Sequence, residues 1–343
     1  MAATAIMHSR DWVAVAERYA RPEPRRSVQQ LAATVGLFVA LHATMFATVA
    51  TLYAATLALS IVTACVMVRA FSIQHDCQHG AFFASRRAND LVGRMLCLVT
   101  LVPNGHHRRL HAVHHAVTGR LDRRRAAPES FPRTAADFDL ITVAEFQALP
   151  RRQRVLYRFL RHPAVIFTVV PCYLFLFSYR FPVLHPTSRW RGWISTQVTN
   201  AAIAAAILAV IELTGLRRFA LVFGPTMVAY TVIGVWLFYV QHQFEHTYWR
   251  TGTGWDYRDA SLHGSSHLAL PRVLAWLTGN IGIHHLHHLC PRIPNYRLAD
   301  CVREHPELAA INRIGMRDSF RMLRMSLWDE DQRKLIKFSE LRG

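Results

Sequence analysis

The sequence predicts an all-α integral membrane protein with about four transmembrane helices arranged as two hairpins. Two features carry this prediction: apolar residues lie in long uncharged runs, and arginines are concentrated between these runs. An apolar run of about 20 residues has the length of a helix that spans a bilayer. The runs at 31–50 and 51–68 predict the first hairpin, and those at 194–213 and 219–240 predict the second. Interfacial helices and a cytoplasmic helical cap are expected to complete the fold.

A single membrane domain is expected over residues 1–343. In chain order its sections are a lead-in at 1–30, the first hairpin at 31–70, a cap section with interfacial helices at 71–193, the second hairpin at 194–240, and a cap section with the C-terminal tail at 241–343. Two shorter apolar runs lie in the first cap section. The run 91–102 is too short to span and is assigned to a re-entrant or interfacial segment. The run 164–179 contains Pro171 and is assigned to the interface or to a buried core helix. The tail from about Val302 is expected to be a mixed helical region.

The excess of positive charge orients these helices. Lys and Arg number 40 against 22 for Asp and Glu, which gives a net charge of +18. Arginines precede the first run and crowd the segment after the second, at Arg21, Arg25, Arg26, Arg86, Arg87, Arg94, Arg108, Arg109, Arg120, Arg123, Arg124 and Arg125. Because cytoplasmic loops carry excess Lys and Arg, we expect the N-terminus and the cap on the cytoplasmic side of the membrane. A basic surface facing anionic lipids accounts for the charge, so no nucleic-acid partner is expected.

Histidines recur at fixed spacings beside the predicted helices. The pattern HxxxH follows the second run, HxxHH occurs twice, and one more histidine ends the last run: these are His75 and His79; His111, His114 and His115; His284, His287 and His288; and His242. On a helix, positions i, i+3 and i+4 point toward one face, so each box offers its imidazoles in one direction. Imidazole is a ligand of iron, copper and zinc. The number of donors exceeds a four-coordinate zinc site and suits a pair of transition metals.

Three other interpretations of the histidines are weaker. A pH-sensing cluster requires no fixed spacing, whereas the spacing here repeats. A metal transporter requires ionisable ligands inside the spans, where only His42 and Glu212 occur. A non-catalytic scaffold has no use for such a complete set of donors.

The order HxxxH, HxxHH, HxxHH around paired apolar segments resembles the membrane fatty acid desaturases, which belong to a wider superfamily of membrane di-iron oxygenases. The stretches "HDCQHGAFF", "RRANDLVGR", "VQHQFE" and "TGNIGIHHLHHLCPRIPNY" resemble the bacterial acyl-lipid branch of that family. The resemblance extends from about Arg69 to Leu298.

This resemblance implies two iron ions held by the boxes. By position, the implied ligands are His75, His79, His111, His114, His115, His242, His284, His287 and His288. Asp76 and Asn280 are candidates for groups that orient the imidazoles, and His285 for an outer group rather than a ligand. His246 is the main substitute for His242. Four further histidines match no family box: His106, His107, His263 and His267.

The resemblance also implies the reaction and the partners. An O2-dependent oxidation at the irons would remove two hydrogens from an acyl chain and leave a cis double bond. Two electrons would come from a ferredoxin or a cytochrome b5-type protein docked on cytoplasmic arginines, because no dinucleotide-binding GxGxxG motif follows a strand. The acyl chain is expected in a tunnel lined by Phe71, Phe82, Phe83, Trp236, Phe238 and Tyr239. Hydroxylation, ketolation or epoxidation of a fatty acid, alkane or carotenoid is the alternative reaction.

Overall fold

The computed structural model describes residues 9–122, 140–182 and 190–341, and these are mainly helical. The helices are α1 (Ser9–Glu17), α2 (Pro24–Thr48), α3 (Tyr53–His79), α4 (Arg86–Met95), α5 (Cys97–Thr100), α6 (Asn104–Val117), α7 (Val143–Ala148), α8 (Arg151–Leu160), α9 (Pro163–Tyr173), α10 (Trp190–Thr214), α11 (Leu216–His242), α12 (Tyr257–His263), α13 (Arg272–Leu277), α14 (His284–Leu289), α15 (Asn295–Glu304), α16 (Pro306–Ala310) and α17 (Met316–Met322). The strands are β1 (Ile141–Thr142), β2 (His267–Ala269), β3 (Arg313–Gly315), β4 (Leu327–Asp329) and β5 (Lys334–Ile336). Arg123, Arg124 and Arg125, on which part of the charge argument rests, lie outside the described residues.

Four helices are long and apolar enough to cross a membrane: α2, α3, α10 and α11. They follow one another as two pairs, which confirms the predicted arrangement. A single residue, Gly215, separates α10 from α11, and its φ of +83° lies in the left-handed region. Glycine adopts this conformation without a steric penalty, so the chain can reverse direction in one residue.

Helix α3 is the centre of the membrane part, because it packs against both α2 and α11. Met67 and Val68 of α3 belong to the same apolar cluster as Tyr230, Val235 and Leu237 of α11. A helix covered on several sides is apolar all round, which is why α3 has no distinct polar face over most of its length. This packing joins the two hairpins and brings the C-terminal ends of α3 and α11 together.

The two shorter apolar runs form separate, smaller elements. The run 91–102 is divided between α4 and α5, and neither is long enough to span. The run 164–179 begins in α9 and continues as a π-helical turn, Leu174–Ser178. This segment is bent by 77° relative to α8, as in a broken span or a re-entrant loop.

The C-terminal tail contains helices α16 and α17, as expected of a mixed helical region from Val302 onward, but it also contains β-structure that was not predicted. Strand β4 pairs in parallel with β1 and antiparallel with β5, with Ile141 opposite Leu327. Strand β3 pairs in parallel with β2, with His267 opposite Arg313. These strands have only two or three residues each, too few for a period-2 pattern to be recognised in the sequence. They fasten the tail to the cap around the histidines.

Candidate metal centre

The two central helices, α3 and α11, pack against each other, and each ends on a histidine. Helix α3 ends at His79, and the next residue, Gly80, adopts a left-handed conformation with φ +68°. Its N–H bonds to the Cys77 carbonyl at 3.1 Å, a common helix-ending arrangement for glycine. Helix α11 ends at His242. The C-terminal ends of α3 and α11 both face α6 and α14, the two box helices, which carry the HxxHH patterns. Four helices therefore place histidines in one region.

The histidine side chains form two groups. The first group consists of five, His75, His79, His111, His115 and His287. The second consists of four, His114, His242, His284 and His288. Within each group one ring nitrogen per residue lies within 4.8 Å of all the others. These nine are the residues singled out as candidate ligands, and no other described His, Cys, Asp or Glu joins either group.

Each HxxHH box is divided between the groups. In α6, His111 and His115 belong to the first group and His114 to the second. In α14 the division is reversed, because the outer pair joins the second group and His287 joins the first. Positions i+3 and i+4 are about 100° apart around a helix, so one short helix can direct rings to two neighbouring points. The box helices therefore bridge the two groups.

In the first group, the ring nitrogens face one another directly. The Nε2 atom of His111 lies 2.7 Å from that of His75 and 2.9 Å from that of His115. His115 Nε2 lies in turn 3.0 Å from His287 Nε2. The buried Nε2 atom of His79 has no hydrogen-bond partner among the described residues. A neutral imidazole nitrogen either donates once or accepts, so hydrogen bonding cannot satisfy all these atoms together. A cation that takes a lone pair from each of them can.

The second group repeats this convergence. Nε2 of His284 lies 3.1 Å from that of His242 and 3.1 Å from that of His288. His288 Nε2 is also 3.3 Å from His114 Nε2. All four residues are buried. Imidazoles are borderline ligands that suit iron, copper and zinc, so both donor sets fit a transition metal.

Burial keeps these histidines neutral. The pKa values of the ligand candidates on α6 and α14 are lowered well below the usual histidine range, first by burial and then by the neighbouring imidazoles; these residues are His111, His114, His115, His284, His287 and His288. Metal ions bind the neutral form of histidine. The cap therefore presents its imidazoles in the protonation state that a metal site requires.

Asp76 and Asn280 meet at a residue that the sequence did not single out. The Asp76 carboxylate accepts hydrogen bonds from the backbone N–H of Asn295 at 2.7 Å and from its side-chain amide at 2.8 Å. Asn280 donates to the Asn295 carbonyl at 3.2 Å. The other carboxylate oxygen of Asp76 lies 3.9 Å from Nδ1 of His75. This network joins the last turn of α3 to the start of α15; the signal that could have found Asn295 is its place at a helix start after Pro294.

His285 and the four histidines that were singled out as additional belong to neither group. The ring of His285 bonds to the Leu308 carbonyl at 2.9 Å, and that of His267 to the Ala309 carbonyl at 2.7 Å. His106 bonds to the Ser178 carbonyl at 3.2 Å, and His107 to the side-chain oxygen of Gln78 at 2.8 Å. His263 is exposed. The four ring contacts fix neighbouring backbone or side chains, which is the ordinary structural use of histidine.

His246 does not take the place of His242. Its spacing from His242 is the same as that of His79 from His75, but α11 ends first, and Gln243 has φ −110° and ψ 79°. Phe244 is then buried with 4% of its surface exposed, and the Gln243 side chain accepts a hydrogen bond from Arg161 at 3.2 Å. As a result, His246 is exposed and belongs to neither group.

A cavity of about 160 Å³ opens onto both histidine groups. His75 and His111 of the first group and His114 and His284 of the second contribute to its wall. Most of the remaining lining is apolar, from α3, α6, α11 and the π-helical turn after α9. An apolar cavity of this kind suits an apolar ligand.

Two of the six expected tunnel residues, Phe71 and Phe238, line this cavity. The other four face elsewhere. Tyr239 donates a hydrogen bond to the Met325 carbonyl at 2.7 Å, and Trp236 stacks on Phe320. Phe82 and Phe83 pack edge-to-face against each other. Neighbours in a helix point in different directions, so an aromatic cluster such as 236–239 could not be assigned to one wall from its sequence.

Comparison with known proteins agrees with this geometry. The family model described as "Fatty acid desaturase" matches residues 49–320. A "Fatty acid desaturase" of Bacillus subtilis is 37% identical over 324 residues, which cover 94% of this chain and 89% of the relative. An "sn-1 oleoyl-lipid 12-desaturase" of Synechocystis is 28% identical over 243 residues, which cover 69% of this chain and 64% of the relative. An "Omega-3 fatty acid desaturase, endoplasmic reticulum" of Vigna radiata is 26% identical over 249 residues, which cover 68% and 60%.

Proposed function

The chain belongs to the fatty acid desaturase family, and on this premise we propose that its nine grouped histidines hold two iron ions at which an acyl chain is oxidised to a cis-unsaturated product. As a member of this family it is an integral membrane oxidoreductase of lipid metabolism. The observation that carries the proposal is the contact of one apolar cavity with both histidine groups.

Iron ions, when bound, would supply the O2-dependent redox chemistry needed to remove hydrogen from an unactivated methylene. The protein's own groups have other tasks. The neutral imidazoles provide the donor atoms, and α6 and α14 fix the spacing between the two groups. The Asp76–Asn295 hydrogen bonds hold the end of α3, and with it His75 and His79, in place. Phe71 and Phe238 hold the acyl chain beside the histidines and exclude water from it.

The arrangement of the hairpins supports a cytoplasmic centre. Both hairpins return to the same side, so the ends of α3 and α11 and the start of α2 lie on one face of the membrane. Arg25 and Arg26 at the start of α2 are on that face, and the positive-inside bias makes it the cytoplasmic one. We propose a bacterial inner membrane, in keeping with the resemblance to the bacterial acyl-lipid branch of the family.

An external protein would deliver the electrons. Arg292 is exposed only four residues after His288 and pairs with Glu17 at 3.4 Å. Arg18 and Arg21 border the same surface depression, so the arginines among its described residues outnumber the one carboxylate. A basic surface this close to α14 is suited to an acidic partner of the ferredoxin or cytochrome b5 type. O2 and a fatty acyl lipid would be the other reactants.

Lipid analysis tests this function. The wild-type chain and His287→Ala are expressed, with a matched electron donor, in a bacterium that makes few unsaturated lipids, and the fatty acids are analysed by gas chromatography–mass spectrometry. We expect a new cis double bond with the wild-type chain alone. A hydroxylated or keto product would assign the protein to another reaction of the same type of centre. The absence of any new lipid, with iron bound, would contradict a fatty acyl substrate.

A further inference from the structure

One face of α11 forms a continuous wall of the cavity. Tyr230, Gly234, Phe238 and Gln241 all line it, and they are spaced by four, four and three residues. This spacing places them in one stripe along the helix. The stripe leads directly to His242 of the second histidine group. Acyl carbons that lie along this wall are therefore in line with the metal centre.

Gly234 interrupts this wall of larger side chains. It is the only glycine among the described residues that line the cavity. A Cβ atom built on it meets no atom within 4 Å, so a side chain there would point into open space. Its two neighbours along the stripe, Tyr230 and Phe238, are both aromatic.

Neither backbone geometry nor helix packing accounts for this glycine. Gly234 lies within α11 and is not among the residues with positive φ, so an L-residue can adopt its conformation. Alanine is a better helix former than glycine at an interior position. Glycine also permits close contact between helices, but such contact would place neighbouring atoms near the missing Cβ, and none lies there. The remaining explanation for a glycine at position 234 is that it keeps the adjacent part of the cavity open.

The position of Gly234 indicates what this space would hold. It precedes His242 by eight residues, which is about 12 Å along the helix axis. Tyr230 and Thr231 continue the lining one turn further from the histidines. A side chain at 234 would thus separate the end of the cavity at the histidines from the end at Tyr230.

We propose that Gly234 is a specificity-determining residue: its missing side chain leaves room for the part of the acyl chain that extends about two helical turns beyond the reacting carbons. The inference rests on the proposed function, because it assumes that the cavity takes an acyl chain. A larger residue at 234 shortens the accessible length, and long acyl chains lose more than short ones.

Gly224 provides a matched control on the same helix. A Cβ built there also meets no atom within 4 Å, but Gly224 is exposed and does not line the cavity. Replacing either glycine by leucine adds the same side-chain volume to the same helix. Only the change at 234 fills the cavity.

The experiment compares wild type, Gly234→Ala, Gly234→Leu and Gly224→Leu, supplied with a short and a long saturated fatty acid. We measure the ratio of long-chain to short-chain desaturated product, together with the amount of protein and iron in the membrane. We expect Gly234→Leu to lower this ratio about tenfold or more, Gly234→Ala to lower it less, and Gly224→Leu to leave it unchanged. If the Gly234→Leu protein fails to accumulate in the membrane, the product ratio of Gly234→Ala tests the inference instead.

An unchanged ratio in both Gly234 variants would overturn the inference, as would an equal change in Gly224→Leu. A second readout needs no turnover: binding of the same two fatty acids to the purified proteins in lipid nanodiscs. A wild-type chain that forms no double bond would contradict the proposed function. In that case the binding ratio still decides the role of Gly234, with selective loss of the long fatty acid expected for Gly234→Leu.

Discussion

The two histidine groups are built alike but differ in number, with five members in one and four in the other. Each takes an outer pair from one HxxHH box and the middle residue from the other. Each also takes histidines from the end of one central helix. The difference lies there: α3 contributes two, His75 and His79, whereas α11 contributes only His242.

The sequence also holds a histidine one helical turn after His242. His246 follows His242 at the spacing of His79 from His75, but α11 ends at His242, so the two residues do not share a helical turn. The comparison therefore shows that helix length, as well as histidine spacing, determines how many rings reach each group. It also implies that the second group has no histidine to spare.

The largest expected effect comes from removing one histidine from the smaller group. His288→Ala leaves it with three histidines. We expect desaturated product to fall by more than about 100-fold, beyond the 10- to 100-fold typical of losing an outer-shell partner. Product is measured per amount of protein in the membrane by gas chromatography–mass spectrometry. Activity near the wild-type level would show that this group holds no catalytic metal.

Removing one histidine from the larger group should lower the amount of desaturated product less. His79→Ala leaves four imidazoles, the number that the second group has in the wild type. We expect product to fall by about 10- to 100-fold, with iron content better preserved than in His288→Ala. Elemental analysis of both purified variants measures this difference. Equal loss of iron from the two would show that the fifth histidine is as necessary as the others.

Substitutions of Asp76 test whether its hydrogen bonds to Asn295 position the histidines of the first group. Asp76→Ala removes the acceptor for two Asn295 hydrogen bonds and leaves a buried backbone N–H without it. We expect about a tenfold loss of product, since outer partners position ligands without binding metal. Asp76→Asn retains a carbonyl oxygen and should recover part of the activity. A variant with wild-type activity and iron content would contradict this positioning role.

The smallest effect is expected at His246. Its side chain is exposed and joins neither group, so His246→Ala should leave iron content and product at wild-type levels. His242→Ala, measured beside it, should resemble His288→Ala. A severe loss in His246→Ala would mean that the chain after α11 rearranges when metal binds.

The sequence allowed the spans and the grouped histidines to be predicted, because both depend on local patterns. Apolar length identifies α2, α3, α10 and α11, and the i, i+3, i+4 spacing selects the grouped rings. The division of each box between two groups could not be predicted, since it depends on how α6 and α14 lie relative to the ends of α3 and α11. Neither could the pairing of Ile141 with Leu327, which are far apart in the chain. The role of Asn295 was hidden for the same reason.

Metal stoichiometry tests the central claim most directly. The wild-type protein, purified from iron-supplemented cells, is analysed for iron and zinc per chain beside His288→Ala, and Mössbauer spectroscopy reports whether the irons interact. The account predicts two iron atoms per wild-type chain, magnetically coupled, and a loss of one or both in the variant. One iron per chain, two irons without coupling, or an unchanged count in His288→Ala would contradict a paired centre built from these two groups.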